Sequence, residues 1–471
     1  MQKIYVWWEW VDTGVYFDVE YPFDKTSVAT ISKAREEDVE EAIKKAEKAF
    51  IETKKLSPYE RANILRDIVR KIWERHEEFA RALTLENWKT INEARLEVSR
   101  TIVTFEIAIW EAERIAWEVT DLWVSPLSEW RLWIVRKFPA WIVAGITPFN
   151  FPMNLAAHKI APAIATGSPI IIKPATMTPI SMLMLAEVIE STDLPKWAFS
   201  VVPCDRWTWQ KLVEDDRIAV LSFTGSPHVW WKMKKDAGKK KVVLELWGNA
   251  AVIIDKNIED WDYVLDRTLM WAYYQAGQSC ISVQRIIVHK DIKEEFTKRF
   301  IEKIKTLKSW NPKEETTTLW PIIDEKNKQR LVSWVNEAVE KWATLLTWWN
   351  WEWNILEATL LDNVPKDCEL AIEEAFWAVA YLEEFETIDE AIQIVNDSKF
   401  GLQVWIFSDS LKDTMKIFEE AEVWGIIQND VPSFRADAMP YWWIKDSGLW
   451  REWIKYAMED MLEEKVLVIK K

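Results

Sequence analysis

The spacing of apolar residues changes several times along the chain, and each change marks a different kind of element. Residues 1–34 alternate apolar and polar positions, which predicts short strands separated by turns. Residues 36–55 carry apolar side chains at helical spacing. Ser57 and Pro58 then open a second amphipathic helix, because serine is a favoured N-cap and proline is favoured in the first turn. Both helices are predicted to be scaffold.

From about residue 130 short apolar runs alternate with helical segments. The runs lie at 142–147, 169–172, 199–202, 218–223, 242–246 and 251–254, and the helices near 154–166, 179–191, 208–214 and 228–237. Apolar strands joined by helices are typical of a parallel sheet that is covered on both faces. A second alternation has runs at 283–288, 377–382, 403–407 and 425–428 and helices near 292–307 and 409–421. The predicted fold class is α/β, with two Rossmann-like parallel sheets.

Length and composition indicate a protein large enough to be an enzyme. The 471 residues exceed the size at which a single core keeps growing, so two or three domains are expected. A hydrophobic fraction of 49% and a charged fraction of 29% are typical of globular rather than disordered chains. The 60 basic and 76 acidic residues give a net charge of -16, which disfavours a nucleic acid partner.

Cysteine usage and hydropathy indicate the compartment. The three cysteines are far apart and show neither disulfide nor metal-ligand spacing, so we expect no structural metal. The first residues lack the apolar core of a signal peptide, and no apolar run approaches the length of a membrane span. The sequence therefore predicts a cytoplasmic protein without a membrane partner.

Cys280 is the candidate nucleophile, because it follows Gly277 and Ser279 where a helix meets a strand. A buried, inert thiol is the alternative. Glu245 lies within a strand-like apolar run, where burial would favour a general base, although it could also face solvent. Asn150 could donate to an oxyanion or cap a helix.

Two further features lie where strands end, at the edge where parallel sheets bind ligands. Lys173 follows a strand and could hold a ribose or phosphate, or lie on the surface. The turn at 222–226 precedes a helix, and its free amides could receive a pyrophosphate.

Taken together, these residues resemble the aldehyde dehydrogenase superfamily over nearly the whole chain. The matching motifs are Ile146-Thr147-Pro148-Phe149-Asn150-Phe151-Pro152, Ile172-Lys173-Pro174-Ala175, Phe223-Thr224-Gly225-Ser226, Leu244-Glu245-Leu246, Gly277-Gln278-Ser279-Cys280, Glu373-Glu374-Ala375-Phe376 and Met439-Pro440-Tyr441. The branch looks like the lactaldehyde, succinate-semialdehyde and non-phosphorylating glyceraldehyde-3-phosphate dehydrogenases.

The resemblance implies an NAD(P)-dependent oxidation of a small aldehyde to its acid. Cys280 would form a thiohemiacetal and then a thioester, Asn150 would stabilise the oxyanion, and Glu245 would activate the hydrolytic water. It also implies a set of cofactor-binding residues: Thr147, Phe149, Lys173, Thr176, Gly225, Ser226, Glu374 and Phe376. A CoA-acylating enzyme and an inactive protein of the same fold are the alternatives, and Glu245 favours water over CoA.

Cofactor and substrate preferences follow from single positions. Thr176 stands where members that prefer NAD often carry a glutamate, so a 2′-phosphate meets no repulsion and NADP should be accepted. Arg285 and Arg435 are candidates for binding an anionic or hydroxylated substrate. Ser279 replaces an arginine found in several phosphate-binding members, which weakens the case for a phosphorylated substrate.

The resemblance also implies the domain plan and an assembly. Residues 1–120 and 140–247 would form the NAD(P)-binding domain, and residues 248–440 the catalytic domain. Residues 121–139 and 441–471 would form a small β element that joins subunits into a homodimer or homotetramer.

Tryptophan departs from the family pattern. The chain has 34 tryptophans and only 10 glycines, and tryptophan stands at family glycine positions: Trp88, Trp141, Trp230, Trp247, Trp377, Trp442, Trp443, Trp450 and Trp453. Glycine serves where φ is positive or backbones approach closely, and tryptophan supplies neither cheaply. We hypothesise that many of these residues are glycine in the functional protein, through an error in the recorded sequence or through substitution. Intact-mass spectrometry distinguishes the two.

Overall fold

The computed structural model describes residues 3–470 except 7, 22, 323, 348–350, 353–354 and 431–437. The helices are α1 (Glu36–Thr53), α2 (Pro58–Glu74), α3 (His76–Asn87), α4 (Ile91–Glu113), α5 (Asn154–Thr166), α6 (Ile180–Glu190), α7 (Arg206–Glu214), α8 (Pro227–Asp236), α9 (Trp261–Tyr273), α10 (Lys293–Ile304), α11 (Glu325–Glu340), α12 (Glu369–Ile372), α13 (Ile388–Asn396), α14 (Leu411–Glu420) and α15 (Ile454–Asp460). Ser57 caps α2 by accepting from the Glu60 amide, as its sequence predicts.

The strands are short and alternate with these helices. They are β1 (Ile4–Val6), β2 (Glu9–Val11), β3 (Tyr16–Tyr21), β4 (Thr26–Ser32), β5 (Glu118–Asp121), β6 (Arg131–Pro139), β7 (Ile142–Ile146), β8 (Ile170–Lys173), β9 (Phe199–Val201), β10 (Ile218–Thr224), β11 (Lys241–Glu245), β12 (Ala250–Ile254), β13 (Val283–His289), β14 (Thr344–Leu345), β15 (Trp351–Glu352), β16 (Ile355–Leu356), β17 (Thr359–Asp362), β18 (Val379–Phe385), β19 (Phe400–Gly401), β20 (Gln403–Phe407), β21 (Gly425–Gln428), β22 (Ile444–Lys445), β23 (Gly448–Leu449) and β24 (Leu462–Lys470).

Two large sheets form the centre of the molecule, and their strands agree closely with the predicted apolar runs. The first has the order β2-β1-β9-β8-β7-β10-β11-β23, with β9, β8, β7, β10 and β11 parallel. The second has the order β14-β17-β18-β13-β12-β20-β21, and all but β14 are parallel. The predicted α/β class is confirmed, and functional residues are expected where these parallel strands end.

A third sheet, β24-β6-β5, lies apart from both. Strand β24 pairs with β6 over nine residues, from Leu462 opposite Pro139 to Lys470 opposite Arg131. The predicted β element is therefore present within a single chain, and its first strand begins at Glu118, slightly before the predicted boundary at 121. Among the described residues, no helix combines the length and apolarity needed to cross a membrane.

Many tryptophans adopt a backbone conformation that favours glycine. Eight of them have φ between 61° and 126°: Trp8, Trp88, Trp130, Trp141, Trp197, Trp342, Trp450 and Trp453. For an L-residue this region costs roughly 1–2 kcal/mol because Cβ meets the neighbouring carbonyl oxygen. Four of the positions at which the family has glycine belong to this group: Trp88, Trp141, Trp450 and Trp453. Their backbone conformation supports the hypothesis that glycine suits them better.

The other proposed glycine positions differ. Trp247, Trp377, Trp442 and Trp443 do not have a left-handed φ, so any need for glycine there is not conformational. Trp88 ends α3 at the C′-like position, with φ 72° and ψ -3°, where glycine commonly terminates helices. The side chain of Trp230 lies outside the described residues.

Trp342 offers a clean test of this strain, because its side chain is 89% exposed and its φ is 79°. We expect Trp342→Gly to raise the free energy of unfolding by about 0.5–1 kcal/mol, since relief of left-handed strain exceeds the extra chain entropy of glycine. The midpoint of thermal unfolding measures this change.

Trp110 is the matched control, because it is 59% exposed within α4 and has a helical backbone. Trp110→Gly should lower the free energy of unfolding by about 0.5 kcal/mol, since glycine is a poorer helix former. If the midpoint of thermal unfolding moves in the same direction in both variants, the proposed backbone strain at Trp342 is contradicted.

Candidate active site

The candidate nucleophile Cys280 follows a turn built from unusual backbone. Residues Tyr274–Gly277 form a 3-10 turn in which Gln275, Ala276 and Gly277 have φ of 55°, 49° and 74°. A Cβ at Gly277 would lie 2.0 Å from the carbonyl oxygen of Trp377, so only glycine fits there. This turn leads the chain into β13 and leaves Cys280 partly buried.

Cys280 and Glu245 are brought together although 35 residues separate them. The Cys280 Sγ lies 3.6 Å from Glu245 Oε1 and 4.0 Å from the Tyr441 hydroxyl. Glu245 ends β11 and is buried, so the first sheet delivers the carboxylate and the chain entering the second sheet delivers the thiol. Two of the three candidate catalytic residues are therefore direct neighbours.

Asn150 joins them through the loop before the cysteine. Its Nδ2 donates to the Gln278 backbone carbonyl oxygen at 3.0 Å. The backbone carbonyl oxygen of Asn150 accepts from Lys89 Nζ at 2.9 Å. Lys89 is fully buried and also pairs with Glu97. Because an amide nitrogen carries two hydrogens, the bond to Gln278 leaves one donor for another acceptor.

A buried polar chain that sequence reasoning missed orients Glu245. Thr224 Oγ1 donates to Glu245 Oε2 at 3.2 Å, and Lys159 Nζ donates to Thr224 Oγ1 at 3.0 Å and Glu452 Oε1 at 2.9 Å. Lys159 and Glu452 are both buried, although 293 residues separate them. The sequence did contain a signal for this chain, because Lys159 lies on an otherwise apolar helix. A buried ammonium needs hydrogen-bond partners.

A small cavity of about 30 Å³ adjoins this cluster. Its lining includes Glu245, Cys280 and Tyr441, together with Arg100, His158 and Trp453. Arg100 makes no ion pair with a carboxylate among the described residues, whereas most other arginines do. Neither Arg100 nor His158 belongs to a motif that the sequence indicated.

The cofactor candidates of the first sheet lie at the carboxyl ends of neighbouring strands. Lys173 ends β8 and is buried, and burial lowers the pKa of its ammonium. Thr147 follows β7 and is buried, with a hydroxyl that has no hydrogen-bond partner among the described residues. Gly225 and Ser226 connect β10 to α8, and Thr176 is exposed beyond Lys173.

Glu374 and Phe376 approach from the second sheet. Glu374 Oε1 accepts from the Gly248 amide at 3.1 Å, while Oε2 is buried without a partner in the described part of the chain. Burial raises the pKa of Glu374 well above its usual value. The Phe376 ring packs edge-on against Phe149 at 5.8 Å, which links the two candidate aromatic residues. A ligand hydroxyl would satisfy this unpartnered, buried carboxylate oxygen by donating a hydrogen bond to it.

Of the two predicted substrate residues, Arg285 is not part of this cluster. Arg285 is buried in β13, where it pairs with Glu383 at 2.9 Å and donates to the Ile394 carbonyl oxygen at 2.6 Å. It lines a separate cavity with Tyr381, and its guanidinium is engaged by Glu383 and the Ile394 carbonyl oxygen, so these contacts give no support to a role in substrate binding. The other candidate, Arg435, lies outside the described residues.

Comparisons with known proteins agree with this geometry. The model of the family described as "Aldehyde dehydrogenase family" matches residues 10–467. The 3-sulfolactaldehyde dehydrogenase of Priestia aryabhattai is 38% identical over 99% of this chain and 97% of its own.

Two solved structures are also similar. Aldehyde dehydrogenase 21 of Physcomitrella patens, in complex with succinate, has a TM-score of 0.98 at 41% identity, covering 100% of this chain and 98% of its own. The glyceraldehyde-3-phosphate dehydrogenase GapN of Methanocaldococcus jannaschii, complexed with NADP, has a TM-score of 0.92 at 34% identity, covering 97% of this chain and 99% of its own.

The family resemblance drawn from the sequence is confirmed, and these relatives fall in the branch that its motifs indicated. A thiol beside a buried carboxylate, at the meeting point of two parallel sheets, suits covalent oxidation of a carbonyl compound. The chain belongs to the aldehyde dehydrogenase family of NAD(P)-dependent oxidoreductases.

Proposed function

We propose that this protein oxidises a small anionic aldehyde to the carboxylic acid, with Cys280 as nucleophile and Glu245 as general base. The observation that carries the proposal is the 3.6 Å approach of the Cys280 Sγ to Glu245 Oε1, beside a cavity that Arg100 also lines. Both groups needed for a two-step acyl transfer lie within reach of one bound carbonyl carbon.

In the first step the Cys280 thiolate adds to the aldehyde carbonyl carbon and forms a thiohemiacetal. The second hydrogen of Asn150 Nδ2 and the backbone N–H of Cys280 stabilise the oxyanion. Because Asn150 is already held by Gln278 and Lys89, its amide needs no reorganisation when that charge develops. Loss of hydride then leaves a thioester on Cys280.

NADP or NAD, when bound, accepts that hydride. Lys173, Gly225 and Ser226 would hold the adenosine and pyrophosphate end at the carboxyl edge of the first sheet. Glu374 would accept from the nicotinamide ribose, since its buried Oε2 has no partner among the described residues. Thr147 lies near the same edge, and Phe149 and Phe376 pack together beside it.

In the last step Glu245 removes a proton from water, which attacks the thioester and releases the acid. Thr224 holds one oxygen of Glu245, and the other faces Cys280. A carboxylate held in this way can receive the proton without turning away from the sulfur. Glu245 therefore favours hydrolysis over transfer of the acyl group to CoA.

The substrate is proposed to carry an anionic group because Arg100 lines the cavity without a carboxylate partner in the described part of the chain. A guanidinium that binds a carboxylate or sulfonate makes short, charge-assisted hydrogen bonds. The relatives named above act on 3-sulfolactaldehyde or bind succinate, and both compounds are anionic.

A homodimer or homotetramer is proposed from the third sheet. Strand β24 lies at its edge, and Val466, Leu467, Val468 and Ile469 are all exposed. An exposed apolar edge strand favours pairing with a second chain. A cytoplasmic location is proposed from the three free cysteines.

Cys280→Ala tests the catalytic assignment. We expect it to abolish NADPH formation with succinate semialdehyde while leaving NADP binding intact, as followed by protein fluorescence. Cys368→Ala is the matched control, because that thiol is buried away from the Cys280 cavity, and its activity should be retained. Turnover by Cys280→Ala would overturn the proposal.

Glu245→Gln separates the two halves of the reaction in the same assay. It should give a rapid burst of one NADPH per active subunit, followed by turnover slowed about 100-fold or more, since general-base catalysis contributes about 10²–10⁴. Added CoA should not restore the steady rate. Restoration by CoA would favour the acylating enzyme instead.

Thr176→Glu tests the choice of cofactor. The new carboxylate should repel the 2′-phosphate, and so lower kcat/KM for NADP at least tenfold with little change for NAD. Thr176→Gln is the uncharged control of the same size. A strong preference of the unmodified protein for NAD would contradict the expectation that NADP is accepted readily.

Arg100→Gln tests the anionic substrate. Succinate semialdehyde and butanal have the same chain length, so the ratio of their kcat/KM values isolates the effect of charge. We expect the variant to lower this ratio about tenfold, which corresponds to about 1.4 kcal/mol. An unchanged ratio would remove Arg100 from substrate recognition.

A further inference from the structure

Trp453 is placed where a substrate chain would have to lie. It directly precedes α15 and is only 4% exposed. Its ring lies 5.5 Å from that of His158 and 5.4 Å from that of Tyr441, whose hydroxyl is 4.0 Å from the Cys280 Sγ. The indole thus forms one wall of the Cys280 cavity.

The cavity that remains is too small for a four-carbon aldehyde while the indole keeps this position. Its volume is about 30 Å³. A water molecule needs roughly 10–15 Å³ by the same measure, so there is room for about two waters. A four-carbon semialdehyde is much larger than that, and the aldehyde carbon must still come within bonding distance of the Cys280 sulfur.

The backbone at Trp453 has a conformation that favours glycine. Its φ of 83° and ψ of 155° lie in a region that is essentially restricted to glycine. A residue held there by its surroundings carries strain of about 1–3 kcal/mol. Glycine would suit the same chain path and would leave the space of the indole empty.

We propose that the Trp453 side chain occupies the substrate's chain-binding space and lowers kcat/KM for aldehydes longer than two carbons. The inference rests on the proposed role of Cys280 as nucleophile. Removal of the indole would extend the cavity from Cys280 along His158 and Arg100, and would let a longer anionic aldehyde reach the sulfur. Trp453 is thus a specificity-determining residue.

Trp450 provides a matched control. It also has a positive φ, of 70°, but is 55% exposed and does not line the cavity. Trp450→Gly and Trp453→Gly both relieve backbone strain, whereas only the second opens space beside Cys280. Trp453→Ala opens the space without introducing glycine.

Alkylation of Cys280 tests the geometry without any assumption about catalysis. Cys204 and Cys368 are buried, and burial raises the pKa of both thiols, to about 12 for Cys204, so Cys280 dominates the reaction. The rate with N-ethylmaleimide is divided by the rate with the smaller iodoacetamide. This ratio should rise at least tenfold in Trp453→Gly and Trp453→Ala, and change less than twofold in Trp450→Gly.

Turnover provides the second readout. In the unmodified protein kcat/KM should fall at least tenfold from acetaldehyde to butanal, and this decline should disappear in the Trp453 variants. If the alkylation ratio rises but no variant oxidises an aldehyde, the proposed function fails while the placement of the indole stands. An unchanged alkylation ratio in both Trp453 variants would overturn the inference, as would equal turnover of acetaldehyde and butanal by the unmodified protein.

Discussion

The arrangement of the candidate site depends on one buried cation, Lys159. An ammonium removed from water is strongly unfavourable unless several acceptors surround it. Here the two acceptors come from separate parts of the chain, because Thr224 ends β10 and Glu452 precedes α15, while Lys159 itself lies in α5. Glu245 joins the same chain through Thr224. The need to satisfy one charge therefore draws together the elements that surround the sulfur.

The aliphatic stem of Lys159 adds a packing constraint to this electrostatic one. A Cβ at Gly145 would lie 3.3 Å from its Cδ and 2.5 Å from the Ile172 Cδ1, so a side chain at that position would press on both the lysine stem and the isoleucine. Close approach of α5 to β7 sets the depth of the ammonium beneath the sheet edge. Packing and charge thus act on the same residue, and the position of Glu245 follows from both.

Much of the architecture could be predicted because local pattern determined it. The helix over 154–166 and the parallel strands of both large sheets other than β17 have the predicted positions, since apolar runs and helical periodicity are local properties. Motif resemblance correctly grouped Cys280, Glu245 and Asn150. The contributions of Lys159, Arg100 and Glu452 were missed, because their importance arises from contacts between residues far apart in sequence. The ion pair of Arg285 was missed for the same reason, since its partner Glu383 is 98 residues away.

The close contact at Gly277 has a consequence for how the site can change. The turn before Cys280 rests directly on the backbone of Trp377, three residues after Glu374. No side chain can enter between them, so a shift of one loop must displace the other. The segments that carry Cys280 and Glu374 therefore form a single mechanical unit. Insertions or deletions in either loop would be tolerated only when both change together.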